Sequence, residues 1–86
     1  MISRTTERFR KAFANLPKEI QYQAKDAYKE FKRDPLHPGL RFKRVHSTKP
    51  IYSVRINIEC RAVGILEGNE ISWFWIGSHA DYDSMI

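Results

Sequence analysis

Phe9, Phe13 and Leu16 recur at helical spacing, which predicts a short amphipathic helix over about residues 5–15 with Thr5 or Thr6 as its N-cap. Pro17 suits the first turn of a second helix, because a missing N–H costs nothing there. In that helix Ile20, Ala24, Ala27, Tyr28 and Phe31 form one apolar stripe, and Lys and Glu fill the other faces. Lys32 and Arg33 close it, where the helix dipole favours cations. Asp34-Pro35 stops the helix, and DPLHPG, with two prolines and a glycine, reads as a loop.

The period then changes to two. In LRFKRV, Leu40 and Phe42 alternate with Arg41 and Lys43. In IYSVRINI, Tyr52, Val54, Ile56 and Ile58 alternate with Ser53, Arg55 and Asn57. A tight turn near Glu59 leads into a strand from Arg61 to Leu66, and Gly68-Asn69 marks a hairpin turn. The last strand, Ile71 to Ile76, is apolar on both faces except for Ser72, so it belongs inside the sheet with the helices covering one side. The expected fold is α+β: two N-terminal helices packed on a four-stranded, mostly antiparallel sheet, in a single domain over residues 1–86.

Composition narrows the setting. A hydrophobic fraction of 42% with 13% aromatic residues is too high for a disordered chain. Cys60 is the single cysteine, so it has no internal disulfide partner, and no metal-ligand cluster surrounds it in sequence. No apolar run is long enough for a signal peptide or a membrane span, and the expectation is a cytoplasmic protein without a cofactor. Charge is uneven along the chain. Residues 1–49 hold 13 basic and 5 acidic side chains, whereas residues 50–86 hold 2 and 5. A basic half suits a polyanion or an acidic protein partner, and equally suits helices with solvated basic faces.

Few residues carry obvious chemistry. Arg55 and Arg61 interrupt apolar strands, and each must reach a less buried face or find a partner; Glu59 is within reach of either. His79 follows the last strand, where a loop would present it on a rigid scaffold, and histidine suits proton transfer near neutral pH. Tyr82 either accompanies it or folds back over the sheet, and Asp81 and Asp83 either orient His79 or cap the tail. His37, between prolines, reads as inert, and His46 belongs to a basic connection with Lys43, Arg44 and Lys49. Fixed cations, one histidine and one tyrosine match the needs of RNA phosphodiester cleavage, in which the 2′-hydroxyl loses a proton, the 5′-oxygen gains one and the phosphate gains charge. Many binding domains hold the same residues.

The order of these segments resembles the RelE/ParE superfamily of bacterial toxins from type II toxin–antitoxin operons. YSVRI, the arginine opening CRAVGI and the closing WIGSHADYD carry the resemblance, which runs from about Phe9 to Asp83. It implies a toxin that is either a ribosome-dependent mRNA endonuclease or a DNA gyrase poison, and a cognate antitoxin as partner. In the endonuclease branch Arg61 would hold the scissile phosphate. Arg55, Lys43 and Arg41 would contact RNA, His79 would transfer a proton, and Tyr82 would stack on a base or position the ribose. Two departures are visible: the N-terminal strand is missing or reduced to Met1–Arg4, and no lysine pair or glutamate base precedes YSVRI. An inactive basic RNA- or antitoxin-binding module is the remaining alternative.

Overall fold

The computed structural model of the protein describes residues 1–85 and opens with a strand where a helix was expected to begin almost at once. Strand β1 (Ile2–Thr5) runs parallel to β5 (Glu70–Ser78), with Ser3 opposite Ile71 and Thr5 opposite Trp73. The segment ISRT has one apolar residue and no alternation to announce it. Its pairing is dictated from outside, by an edge of β5 that would otherwise be left unpaired. Ser3 also has a specific task, because its hydroxyl accepts a 3.0 Å hydrogen bond from the buried Trp73 indole.

Helix α1 (Glu7–Ala14) is capped by Thr6, whose hydroxyl accepts from the Phe9 amide at 3.2 Å. Helix α2 (Lys18–Arg33) follows after a turn closed from an unexpected direction. The Gln21 side-chain amide donates to the carbonyls of Phe13 and Leu16, both at 3.1 Å, and so satisfies acceptors left over at the end of α1. Beyond α2, a short 3-10 turn (Pro38–Leu40) and a left-handed Arg41 (φ 48°) replace the start of the expected LRFKRV strand. Only Lys43–Arg44, strand β2, pairs with a neighbour. Leu40 and Phe42 both serve the core, and Leu40 reaches it from the 3-10 turn.

Strand β3 (Ile51–Arg55) ends before Ile58, the expected limit, and β4 (Cys60–Glu67) begins after a turn. Asn57 makes that turn: its side-chain oxygen accepts from the amides of Glu59 and Cys60, both at 2.8 Å, leaving Ile58 76% exposed. The sheet therefore has five strands in the order β1-β5-β4-β3-β2, antiparallel except for the added first strand. The α+β class and the placement of the two N-terminal helices on one face stand; the strand count and the N-terminus are corrected.

Register defines the two faces. Val54, Ala62 and Ile76 lie in line across β3, β4 and β5 and meet Phe31, Leu40 and Trp73 beneath the helices. Phe31 packs edge-on against Trp73 (5.3 Å between ring centres) and Phe42 (5.1 Å). Such pairs each add about 0.5–1.5 kcal/mol beyond the area they bury. On the other face Ser53, Val63 and Trp75 are aligned. The pairing shifts by one between Val63 and Gly64, so Val63 faces Trp75 while Gly64 faces Trp73. Without that bulge, residues 73 and 75 would share a face.

Gly64 is needed where Trp73 crosses it. A Cβ there would lie 2.8 Å from Trp73 Cε3, 3.0 Å from the Ser72 carbonyl and 3.1 Å from Ile71 Cγ1. Gly64→Ala should lower stability by ~1–3 kcal/mol through overpacking. In urea unfolding this should appear as a reduced midpoint with an unchanged slope.

Candidate functional site

The face away from the helices collects most of the residues singled out in the sequence. Lys43 lies opposite Ser53, Arg55 opposite Arg61, and Arg61 opposite Gly77. Lys43, Arg55 and Arg61 therefore occupy register positions on the face shared by Val63 and Trp75. Arg41, exposed and left-handed, precedes β2 and is not aligned by any strand pairing. Two arginines directly across a strand pair repel each other, and such pairs are ordinarily relieved by a carboxylate. Glu59, within reach of either in sequence, pairs with neither. Among the described residues neither Arg55 nor Arg61 has a carboxylate within ion-pair distance; Arg61 Nη1 instead donates to the carbonyls of Asn57 (2.9 Å) and Cys60 (3.2 Å). The guanidinium is thus held in one direction by the turn while its charge stays uncompensated. Arg55, last in β3, also borders the cleft under α2 that contains Asp26, Glu30 and His37.

His79 and Tyr82 lie on a helix, not on the loop expected after β5. Helix α3 (His79–Met85) starts directly at the strand end, where the Ser78 hydroxyl accepts from the Asp81 amide at 3.1 Å. The signal was present: Ser78-His79-Ala80-Asp81 is an S-x-x-D pattern, a known helix-start signature. The His79 amide donates to the Glu59 carbonyl, tying α3 to the turn that holds Arg61. Tyr82 stacks on the His79 ring, 5.9 Å between centres and 14° between planes, and packs on Trp75 at 6.5 Å. Trp75 in turn lies over Gly77, where a Cβ would sit 2.6 Å from its Cζ2. An aromatic tier of His79, Tyr82 and Trp75 therefore stands on the same face as Arg61. Trp75 and Gly77 are the residues the sequence reading missed, because a tryptophan in an apolar strand reads as core.

Cys60 plays no visible part. It is buried, and burial, reinforced by Glu59 and opposed by Arg61, pushes its thiol above the usual cysteine range. On the opposite face a second feature appears. An apolar cavity of about 410 Å³ lies between α1, α2 and the sheet, lined by Phe9, Phe13, Tyr28, Val54 and Ile76 and edged by Arg10, Lys25 and Lys29. No described helix is long and apolar enough to cross a membrane.

A family model for the ParE-like toxin domain matches residues 18–84, most of the chain and every element from α2 onward. The chain belongs to the ParE-like toxin domain family. No curated protein matches it in sequence. Among solved structures, this toxin domain is similar to a chain of the RelB-RelE antitoxin-toxin complex from Methanococcus jannaschii (TM-score 0.76, 16% identity, 95% of this chain and 96% of that chain covered). YafQ from Escherichia coli strain BL21(DE3) gives a TM-score of 0.74 at 13% identity, covering 93% and 94%. The YoeB/ParE toxin from Agrobacterium tumefaciens gives 0.71 at 16% identity, covering 92% and 99%. At these identities the likeness establishes a common fold, and this ParE-like domain has the RelE-type arrangement of helices and sheet.

Gly77→Ala in this toxin domain should displace the Trp75 ring and loosen its packing against Tyr82. The expected result is a loss of ~1–3 kcal/mol with a changed tryptophan emission spectrum, and with the Trp73 side of the core retained.

Proposed function

We propose that the protein is the toxin of a type II toxin–antitoxin system and that it cuts messenger RNA on the ribosome, in the cytoplasm. The observation that supports this reading most is the shared face: Arg61 and Arg55 without carboxylate partners among the described residues, Lys43 in the same register set, and the His79–Tyr82–Trp75 tier on that face. In this reaction the ribose 2′-oxygen attacks the adjacent phosphorus and the bond to the 5′-oxygen breaks. A 2′,3′-cyclic phosphate and a 5′-hydroxyl are left. His79 transfers a proton at the 2′-hydroxyl or at the departing 5′-oxygen, and Arg61 meets the charge that grows on the phosphate between the two events. Lys43, Arg41 and Arg55 bind the flanking backbone, and Tyr82 stacks on a base or positions the ribose.

Primer extension on messages after induction tests the reaction and the arginine together. Wild-type protein should produce discrete cleavage ends, and Arg61→Ala should reduce them by roughly 100-fold or more, the typical effect of removing one electrostatic donor. Growth arrest with intact ribosome-bound message would sink the nuclease reading. One observation favours a second reading: the matching family model is ParE-like, and the ParE branch implied by the resemblance poisons DNA gyrase. In that case His79→Ala stays fully toxic.

Chains in similar structures come from antitoxin–toxin complexes, among them RelBE2 from Mycobacterium tuberculosis. By that analogy the partner of this protein is an antitoxin segment, apolar on one side and acidic on the other, seated in the cavity between α1, α2 and the sheet. Reversing the exposed Lys25 and Lys29 together to Glu should weaken the complex by about tenfold, chiefly through slower association, and flatten its salt dependence. Titration calorimetry at two ionic strengths reads both effects.

A further inference from the structure

Asp83 lies one helical turn beyond His79, and its Oδ2 is 3.4 Å from His79 Nε2. The spacing is i to i+4, which puts the two side chains on one face of α3. The imidazole has two other constraints. Its backbone is pinned where the His79 amide donates to the Glu59 carbonyl, and its ring plane is set by stacking on Tyr82, which rests on Trp75. Neither constraint fixes which ring nitrogen points where. The carboxylate does, because it can only accept. With the carboxylate on the Nε2 side, the neutral ring is favoured to carry its proton there and its lone pair on Nδ1, which has no partner among the described residues. The other charged groups on the elements meeting this end of α3 are Asp81 on the helix itself, Glu59 in the turn and Arg61 on β4. None of these is within ion-pair distance of the imidazole.

We propose that Asp83 is a positioning residue that orients His79 so that Nδ1, not Nε2, exchanges the proton with RNA. The role rests on the nuclease reading above and assigns it a specific atom. It resembles the carboxylate that orients a catalytic histidine in other hydrolytic sites, where one ring nitrogen is held so that the other can act.

The experiment compares wild type with Asp83→Ala and Asp83→Glu. Alanine and glutamate are both better helix formers than aspartate, so loss of α3 cannot account for a defect. Carbon relaxation of the His79 ring should show an ordered imidazole in the wild type and in Asp83→Glu, and a mobile one in Asp83→Ala. On ribosome-bound message, Asp83→Ala should lower kcat by about 3- to 10-fold at unchanged KM, a fraction of the ~100- to 10,000-fold that acid–base catalysis contributes. Asp83→Glu should restore it. An imidazole equally ordered in Asp83→Ala overturns the proposal, and so does a mobile imidazole with undiminished kcat. If the wild type cuts no message, the nuclease reading falls and the catalytic role of Asp83 falls with it; the ring-order comparison still reports separately whether the carboxylate orients His79.

Discussion

One extra residue in β5 governs how this protein divides its sheet between two purposes. Strand side chains alternate, so Trp73 and Trp75 would ordinarily share a side. The pairing shift at Val63/Gly64 sends Trp73 under the helices, against Phe31 and Phe42, and leaves Trp75 on the opposite surface. The core gains its largest ring, and the far face gains a platform. Both tryptophans demand a glycine beside them, Gly64 for one and Gly77 for the other, because each ring lies where a Cβ would stand. The bulge sets the side each ring takes, and the two glycines clear the space the rings occupy.

The division separates the helix-covered core from the face on which the candidate site lies. Beneath the helices lie Val54, Ala62, Ile71 and Ile76, buried with Phe31, Leu40 and Trp73. On the far face the turn at Asn57 performs two tasks. Its side chain ends β3, and its backbone carbonyl holds Arg61. A guanidinium tethered by neutral carbonyls keeps its full charge and loses much of its freedom. That suits a group meant to meet an anion without reorganising first. The start of α3 is fastened to the same turn through Glu59, so the histidine and the arginine share one anchor.

How much of this was written in the sequence depends on which force set each element. α1 and α2 are amphipathic, α1 is capped by Thr6 and α2 opens after Pro17, and local pattern alone places them. The hairpin at Gly68 is likewise local, with a φ of 61° that glycine adopts readily. β1 is the opposite case: Ser3 and Thr5 are polar, and their burial is decided by Trp73 and Ile71 far along the chain. The expected strand from Leu40 failed because two apolar residues spaced by two can also reach a core from a 3-10 turn. At the site, Arg61, Arg55, Lys43, His79 and Tyr82 were legible as residue types. Their common face was not, since it is set by which residues pair across β2, β3, β4 and β5, and no single segment announces that register. Trp75 was hidden by its resemblance to core.

The hydrogen bond from Trp73 to Ser3 joins residues 70 positions apart. Synthesis delivers Ser3 a full 70 residues ahead of Trp73, so β1 has no mate until the β4–β5 hairpin exists. Contacts of such long sequence separation form late and slowly. A ribosome making this protein therefore carries an unfinished sheet over that whole interval, and the sheet closes only once β5 has emerged.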